Sequence, residues 1–169
     1  MSTVYNNHSY FWRHAEQFDS LAPLLTRFGG AEPLRIWCAG CAFGEEPYSL
    51  ALLVDGLGMK ADILATDISR DALQQVEIAR YKESKMRTLP RRYLSRLQKD
   101  DQGWSVPERL KSMVSCRWDD LKSSRVEGPF DIEVSFDGAD PVAIVANLVS
   151  PSRSFERTVP NVPGPNVGV

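Results

Sequence analysis

One stretch, LRIWCAGCAFGEEPYSLALL at Leu34–Leu53, constrains the fold of this chain more than any other. The apolar run from Leu34 to Cys38 predicts a buried strand, residues 39–44 predict a tight glycine turn, and a helix is expected from Glu45 onward. A strand, a glycine turn and a helix in this order open the cofactor-binding unit of many α/β domains. The spacing of the two glycines alone is weak evidence, because such pairs occur in many loops.

Two adjacent carboxylates, Glu45 and Glu46, fall in the first turn of this predicted helix. A helix start that binds phosphate uses its N–H groups and positive dipole end for the ligand's charge, so two acids there would oppose it. They suit a ligand with a positive centre instead, such as the sulfonium and ammonium of S-adenosylmethionine. A second interpretation, in which the acids only complement the helix dipole, is equally open from spacing alone.

Composition narrows the class of protein. The chain has 169 residues, of which 43% are hydrophobic, which predicts one domain with a packed core. A net charge of −2 argues against a general nucleic-acid binder. No run approaches the length of a membrane span and the start has no signal-peptide pattern, so we expect no membrane insertion. Three cysteines, an odd and small number, indicate a reducing compartment and predict a cytoplasmic location.

Two of these cysteines, Cys38 and Cys41, form a Cys-x-x-Cys pair. A redox or metal site would need a second pair or a nearby histidine, and both His8 and His14 are distant in sequence. We therefore predict no metal site and regard a redox role as the minor interpretation.

The first part of the chain, residues 1–30, is predicted to be a helical segment, because apolar residues recur at near-helical spacing. Asn7 and Ser9 are candidate helix caps, and Pro23 is expected to divide the helix into two pieces. Arg13 follows an aromatic run that must be partly buried. A guanidinium held there would need an anionic partner.

A second strand is predicted from Ala61 to Thr66, followed by Asp67 and by a helix that Ser69 caps. An acid at the end of the second strand is the position that binds ribose hydroxyls in such domains, since one carboxylate accepts both O–H groups. The alternative is an ordinary turn residue. The distance from the first glycine turn favours the ribose function.

Three motifs together resemble the chemotaxis-receptor glutamate methyltransferases, the CheR family. They are YFWR at Tyr10–Arg13, RIWCAGCAFGEEPYSLALL at Arg35–Leu53 and ATDISRDAL at Ala65–Leu73. Members of that family carry an aromatic-aromatic-Arg motif, then a strand and a loop ending in Cys-x-x-Gly-Glu-Glu-Pro-Tyr-Ser, then Ala-Thr-Asp-Ile. The combination is rare elsewhere. The similarity runs from about Ser9 to Ile132.

The resemblance implies an α/β fold, a Rossmann-like class I methyltransferase sheet with helices on both faces. It implies S-adenosylmethionine as cofactor, S-adenosylhomocysteine as product, and Arg13 as a catalytic residue near the methyl-transfer centre. Glu46 would bind the methionine ammonium and Asp67 the ribose, and the segment before Leu121 would contact the adenine. The full set of implied cofactor-binding residues is Ala39, Gly40, Cys41, Glu46, Asp67, Ile68, Asp120 and Leu121.

After about residue 132 the sequence departs from the family pattern. The family continues with a Cys-Arg-Asn-Val run and a segment that closes the active site and supplies a tyrosine, and nothing here matches it. The family's preceding helical domain is also missing, as expected for a truncated or frame-altered gene. We predict a methyltransferase domain at residues 31–150, with one more strand from Ala143 to Val149, and a disordered tail at residues 151–169. The sheet would be incomplete on its C-terminal side, and its open edge predicts a homodimer.

Residues 80–99 are rich in lysine and arginine, with Glu83 as the single acid. Two interpretations are open: a solvated helical face, or a docking surface for an acidic partner. The family's substrates, glutamate-bearing chemoreceptor helices, would suit the second. Nucleic acid is a further possible partner but lacks supporting aromatic interleaving. Further along, short strands are predicted at Trp104–Val106 and at Leu110–Arg117, and residues 128–132 lead into a fourth strand.

Three functions are compatible with these features. The first is a methyltransferase that esterifies glutamate side chains of an acidic protein. The second is a binding-only remnant, because methyl transfer to an ionised carboxylate needs mainly positioning, which loss of the closing segment would impair. The third is a Rossmann-type NAD oxidoreductase. The third fits least well, since the turn lacks G-x-G-x-x-G and the acid pair opposes a pyrophosphate.

Overall fold

The structure is a computed structural model that describes residues 9–135 and the backbone of residues 143–146. The helices are α1 Ala15–Phe28, α2 Glu45–Gly56, α3 Arg70–Ile78, α4 Arg91–Leu94 and α5 Glu108–Lys111, with a 3₁₀ turn at Glu83–Met86. The strands are β1 Leu34–Ala39, β2 Ala61–Asp67, β3 Arg80–Tyr81, β4 Gln98–Asp100, β5 Gly103–Ser105, β6 Val114–Trp118, β7 Ile132–Ser135 and β8 Ala143–Ala146. No helix among these residues is both long and apolar enough to span a bilayer.

The central sheet has the strand order β6-β2-β1-β7-β8. Four of its strands, β6, β2, β1 and β7, run parallel, and β8 pairs antiparallel with β7. This arrangement, flanked by helices, confirms the predicted α/β, Rossmann-like class. The chain winds to one side of β1 through β2 and returns to the other side through β7. Ligands of such sheets bind outside the carboxyl ends of the strands at this reversal, which here is the end of β1.

The core forms where α2 packs against the sheet. The first ten residues of α2 are all buried, so this helix is covered on every side. The buried apolar residues of β1 and β2 alternate with more exposed ones near the strand starts and become continuous toward the carboxyl ends. Burial of these side chains is the main stabilising term, and it fixes both strand ends beside the start of α2.

A second, antiparallel sheet has the order β3-β5-β4 and, with the 3₁₀ turn and α4, encloses the aromatic segment that precedes α1. Phe11 and Trp12 are almost wholly buried, at 0% and 2% exposure. The Phe11 N–H donates to the Lys85 carbonyl at 3.0 Å, and the Thr88 hydroxyl donates to the Phe11 carbonyl at 2.6 Å. The small sheet and its turn therefore hold the N-terminal aromatic segment against the rest of the domain.

The prediction that Pro23 divides the N-terminal helix is wrong, because α1 continues without a break through Pro23. A proline inside a helix deprives the carbonyl four residues earlier, here that of Asp19, of its N–H partner. Both residues are exposed, so water can satisfy that carbonyl. The three buried apolar side chains of α1 then supply packing energy that outweighs the lost bond.

The strand predicted at Leu110–Arg117 is also wrong in its first part. Residues Glu108–Lys111 form α5 after Pro107, and the strand begins only at Val114. Proline favours the position just before a helix, and the polar residues that follow it suit a helical turn better than a buried strand. The short strand at Gly103–Ser105 lies one residue ahead of its predicted place.

Residues 80–99 do not form a helical face, since they comprise β3, the 3₁₀ turn, α4 and the start of β4. Several of their cations pair within the chain. The ion pairs are Arg80–Asp100, Lys85–Glu45, Arg96–Asp55 and Lys99–Glu83. The segment is thus partly a structural network, and only its remaining cations are available to a partner.

The later elements confirm the predicted approach to a fourth parallel strand, which is β7. The further strand predicted from Ala143 to Val149 is confirmed over Ala143–Ala146, as β8. The rest of that prediction, and the disordered tail at residues 151–169, lie outside the described residues. Within the described part, β6 and β8 are the edge strands of the central sheet, so the expected homodimer through an open edge stays a prediction.

Candidate functional site

The glycine turn after β1 is tied to the neighbouring strand by backbone bonds. The N–H groups of Gly40 and Cys41 both donate to the Thr66 carbonyl at 2.9 Å. Gly40 and Gly44 have φ values of +71° and +99°, in the left-handed region that favours glycine. The turn therefore reverses the chain tightly, and α2 begins directly behind the carboxyl end of β1.

Asp67 closes β2 and links the glycine turn to the next helix. Its Oδ2 accepts the Ala42 N–H at 3.0 Å, and its Oδ1 accepts the Ser69 N–H at 2.8 Å. Each bond uses one lone pair of an oxygen, so each oxygen can accept a further hydrogen bond from a ligand. Asp67 thus is a turn residue, and its ribose-binding role stays a prediction. Ser69 caps α3 as predicted, accepting the Ala72 N–H.

The two carboxylates at the start of α2 have different partners. Glu45 is wholly buried, and the Lys85 Nζ lies 2.8 Å from its Oε1 in an ion pair that is not aligned as a hydrogen bond. Glu46 is 4% exposed and accepts the Ser9 hydroxyl at Oε1, at 2.6 Å. Its Oε2 is buried and has no hydrogen-bond partner among the described residues. Neither oxygen of Glu45 accepts a hydrogen bond within the described residues, but Lys85 balances its charge, whereas Glu46 has one unpaired oxygen and no ion pair there.

The surroundings of Glu46 make its charge costly without a ligand. Burial raises the pKa of Glu46 from 4.5 to about 7, and the neighbouring Glu45 charge adds to this rise. The Ser9 hydrogen bond and the Arg13 charge act in the opposite direction and lower the pKa. A buried carboxylate with an unpaired oxygen is suited to a cationic ligand group, because that group would restore the missing charge and hydrogen bond.

Trp12 adopts a left-handed backbone conformation, with φ +59°, which is unusual for a bulky residue. Its N–H donates to the Ser49 hydroxyl at 3.0 Å, and its ring stacks on Phe18 at 4.4 Å. This bend buries Trp12 and leaves the next residue, Arg13, half-buried near Glu46, whose pKa its charge lowers. No hydrogen bond or ion pair joins the Arg13 guanidinium to another residue in the described part of the chain, so it can bind an anionic group.

Two apolar side chains lie exposed beside the glycine turn. Ile68 follows Asp67 and is 43% exposed, and Leu121 is 49% exposed. A methyl group added to Gly40 would lie 3.8 Å from Leu121 Cδ1, which places Leu121 next to the turn. Asp120 accepts the Lys122 N–H at Oδ1, in a local turn that fixes the segment. The structure thus brings these three predicted residues to the edge where Asp67 lies, and their contact with adenine stays a prediction.

The remaining predicted site residues are buried. Ala39 is 3% exposed and Cys41 is 0% exposed, so any contribution to ligand binding would come through the shape of the turn. All three cysteines are free thiols, and burial raises the pKa of Cys38 and Cys41 far above the usual range. Protonated thiols are unreactive. In the described residues, no group of histidine, cysteine and acidic side chains could hold a metal.

Sequence reasoning missed the role of Ser9. It does not cap a helix, because α1 begins at Ala15 and Ser9 bonds to Glu46 instead. The other candidate cap, Asn7, lies outside the described residues. The contact joins positions 37 residues apart, so no local pattern signals it. The only sequence feature that could have indicated the Ser9–Glu46 hydrogen bond is a hydroxyl residue directly before the aromatic-Arg motif.

Sequence reasoning also missed Trp118, which helps to fix the carboxyl end of β2 beside the candidate site. Its indole N–H donates to the Ile68 carbonyl at 2.8 Å, and the Asp119 N–H donates to the Asp67 carbonyl at 3.1 Å. The Arg70 guanidinium lies 5.8 Å from the Trp118 ring centre. These contacts hold the backbone at the end of β2 in place. A half-exposed tryptophan at the carboxyl end of a strand was the available signal.

Comparison with known proteins gives a consistent family. Residues 7–136 match the family described as "CheR methyltransferase, SAM binding domain". A chemotaxis protein methyltransferase of Borreliella burgdorferi is 38% identical over 128 residues, covering 66% of this chain and 44% of the relative. One of Listeria monocytogenes is 33% identical over 141 residues, covering 79% of this chain and 53% of the relative.

A probable biofilm formation methyltransferase, WspC, of Pseudomonas putida is 33% identical over 120 residues, covering 64% of this chain and 28% of the relative. The chain spans about half the length of the first two relatives, at 44% and 53%. The family match covers most of the chain and includes the glycine turn, the acid pair and the aromatic-Arg segment. The chain therefore belongs to the CheR methyltransferase family, by its S-adenosylmethionine-binding domain.

Proposed function

We propose that this protein is an S-adenosylmethionine-dependent methyltransferase that esterifies glutamate side chains of a chemoreceptor or a similar acidic protein. The observation that carries the proposal is the buried Glu46 carboxylate, whose Oε2 has no partner in the described chain and lies behind the glycine turn. The family's cofactor, S-adenosylmethionine, carries the ammonium that would pair with such an oxygen. A nicotinamide oxidoreductase is not supported, because the matched family is an S-adenosylmethionine-binding domain.

The residues at the site fit this cofactor. Glu46 would accept the ammonium at Oε2, Asp67 would accept ribose hydroxyls with its free lone pairs, and Ile68 and Leu121 would cover the adenine with exposed apolar groups. When bound, the cofactor supplies a methyl group on a positively charged sulfur. The acceptor carboxylate is already ionised at neutral pH, so the chain has no proton to remove.

Positioning is then the main task of the chain in catalysis. The Arg13 guanidinium is half-buried near Glu46 and makes no bond within the described residues, so it can hold the acceptor carboxylate near the methyl donor. With the acceptor held in this way, the cofactor would supply the methyl carbon to a carboxylate oxygen as its bond to sulfur breaks. The products are a methyl ester and the neutral thioether S-adenosylhomocysteine.

An acidic partner suits the cations that remain outside the internal ion pairs of residues 80–99. Four exposed examples are Lys82, Arg87, Arg91 and Arg92. Arg87 also lies 5.2 Å from the ring centre of Tyr10, next to the segment that carries Arg13. We therefore propose that the acceptor docks beside this aromatic-Arg segment. The homodimer remains a proposal from the edge strands, and a cytoplasmic location from the three free thiols.

The proposal is tested by transfer of a tritiated methyl group to a glutamate-rich receptor fragment. Base-labile label on the fragment is expected, because methyl esters hydrolyse in base. The second candidate, a binding-only remnant, predicts bound cofactor without label. The comparisons do not favour it, because the relatives are named chemotaxis protein methyltransferases. Absence of heat in calorimetry with millimolar S-adenosylhomocysteine would contradict both.

Cofactor affinity is expected to rise with pH around neutrality. Glu46 binds the ammonium only when ionised, and burial raises its pKa to about 7 in the free protein. Raising the pH through this value ionises it before the ligand arrives. We expect the dissociation constant of S-adenosylhomocysteine to be about tenfold smaller at pH 8 than at pH 6. Titration calorimetry at both pH values measures this, and a constant that does not change would exclude Glu46 as the ammonium site.

The ribose assignment of Asp67 is tested by a double-mutant-type cycle, in which a protein substitution and a ligand modification are made separately and together and binding is measured each time. Asp67→Ala should weaken S-adenosylhomocysteine binding by about 1–3 kcal/mol. Part of that loss would come from the turn, because Asp67 also holds Ala42 and Ser69. The 2′-deoxy analogue separates the two causes, since it lacks the hydroxyl and leaves the turn intact. We expect a coupling of about 1 kcal/mol between the two changes, and strictly additive losses would refute the assignment.

A further inference from the structure

Lys85 joins the small sheet to the start of α2. It lies in the 3₁₀ turn after β3, and its Nζ is 2.8 Å from Glu45 Oε1. The same ammonium donates to the Ser9 carbonyl, and Ser9 in turn donates its hydroxyl to Glu46. The Lys85 carbonyl accepts the Phe11 N–H at 3.0 Å. Lys85 therefore contacts both Glu45, which precedes Glu46 in the sequence, and Ser9, which donates a hydrogen bond to Glu46.

The charges around Glu46 explain why this matters. Glu45 and Glu46 are adjacent and buried, at 0% and 4% exposure, and two such anions repel each other strongly. The charges of Glu45 and Arg13 shift the pKa of Glu46. The charge of Glu46 in turn raises the pKa of Cys38, Cys41 and Tyr81. Burial raises the pKa of both thiols and of the Tyr81 phenol, so these three are neutral at physiological pH. Two cations lie near the pair, Arg13 and Lys85, and within the described residues only Lys85 forms an ion pair with either carboxylate.

We propose that Lys85 is a positioning residue for cofactor binding, because it compensates Glu45 and holds Ser9 so that Glu46 can face the ligand's ammonium as an anion. The inference rests on the proposed function. It also assigns this cation of the basic segment to the cofactor site and removes it from the set that can dock an acidic partner. Lys85 acts through Glu45 and Ser9 and touches no reacting atom.

Three variants of the full chain test the proposal: Lys85→Met, Glu45→Gln and the double variant. The readouts are the dissociation constant of S-adenosylhomocysteine from pH 6 to 8.5 and the pH at which affinity is half-maximal. Lys85→Met should weaken binding about tenfold at pH 7 and move this midpoint upward, because an uncompensated Glu45 disfavours a second anion. Glu45→Gln should move the midpoint downward. In the double variant the midpoint should return toward that of the natural chain. Its affinity should stay lower than that of the natural chain, because the contact between Lys85 and Ser9 is lost.

A merely structural lysine would change stability without moving this midpoint. Lys60→Met, at an exposed lysine away from the site, is the matched control and should leave constant and midpoint unchanged. If Lys85→Met does not fold, Lys85→Arg and the double variant decide, since neither leaves Glu45 as an unpaired anion. The double variant should then bind more weakly than Lys85→Arg, and equal constants would overturn the proposal.

The outcomes also separate this inference from the proposed function. A folded Lys85→Met that binds S-adenosylhomocysteine with an unchanged constant and midpoint overturns the role of Lys85, provided that Glu46→Gln loses binding. If Glu46→Gln itself binds as well as the natural chain, the assignment of Glu46 fails, and the role of Lys85 fails with it.

Discussion

Replacing Glu46 by glutamine is expected to weaken cofactor binding about a hundredfold while making the cofactor-free protein more stable. The carboxylate would accept a charged hydrogen bond from the ligand ammonium, and loss of such a bond costs about 1.5–3 kcal/mol. Glutamine keeps an acceptor for the Ser9 hydroxyl but carries no charge. The variant therefore removes the ligand interaction and leaves the contact seen in the free protein.

The gain in stability follows from the direction of the pKa change. Burial raises the pKa of Glu46 from 4.5 to about 7, so the folded protein holds this proton more tightly than the unfolded chain. The ionised group therefore destabilises the fold above pH 7, by about 3 kcal/mol at full effect. This penalty shrinks as pH falls through 7 and disappears below 4.5. Glutamine avoids it but strands an amide N–H at a cost of about 1 kcal/mol, which leaves a net gain of about 2 kcal/mol at pH 8.

Chemical denaturation at pH 8 and pH 5 measures the stability change, and calorimetry with S-adenosylhomocysteine measures the binding change. The control is Glu77→Gln, at an exposed glutamate on α3, which should alter stability by less than about 0.5 kcal/mol and leave binding unchanged. The advantage of Glu46→Gln should be smaller at pH 5 than at pH 8. A variant that is less stable than the natural chain at pH 8 would show that Glu46 serves the fold and not a ligand.

Gly44→Ala is expected to destabilise the protein by about 3 kcal/mol or more, which can be a large part of the stability of one domain. Gly44 has φ +99°, where an alanine is strained, and its Cα faces α3. An added Cβ would lie 3.3 Å from the backbone Cα of Val76 and would collide with the Tyr81 hydroxyl. That hydroxyl donates to the Phe43 carbonyl at 2.9 Å, so relief of the collision would break this bond.

Thermal and urea denaturation measure this effect, with Gly30→Ala as the matched control. Gly30 lies in an exposed loop without a positive φ, and a Cβ there meets nothing within 4 Å. We expect Gly30→Ala to change stability by less than about 0.5 kcal/mol. If both variants unfold at the same denaturant concentration as the natural chain, the tight approach of the glycine turn to α3 and the small sheet is not real.

The central part of the site could be predicted because its signals are local. The glycine turn, the acid pair and Asp67 all lie at the ends of two adjacent strands, and parallel strands bring their carboxyl ends to one edge. An apolar strand segment, a turn glycine and a helix-capping residue can each be recognised from a few neighbouring residues. The same reasoning failed at Pro23, because the packing of a whole helix outweighed one missing hydrogen bond.

The partners of the acids could not be predicted, because they come from distant parts of the chain. Ser9 reaches Glu46 across 37 positions, and Lys85 reaches Glu45 from the 3₁₀ turn after β3. Local charge patterns cannot tell which of two adjacent carboxylates is compensated, since that depends on tertiary packing. The residue pattern alone treated Glu45 and Glu46 as equivalent, and only the family resemblance singled out Glu46; the basic segment was interpreted as a solvated face or a docking surface. The structure shows that one acid of the pair and several cations of the basic segment form ion pairs within the described part of the chain, while the other charged groups do not.

The central claim is that the unpaired oxygen of Glu46 exists to bind the ammonium of an adenosyl cofactor. A crystal structure of the protein with S-adenosylhomocysteine tests it most directly. The predicted result is an ammonium nitrogen about 3 Å from Glu46 Oε2, with the ribose hydroxyls at Asp67. A ligand held elsewhere, or a Glu46 side chain that turns away from it, would contradict the claim.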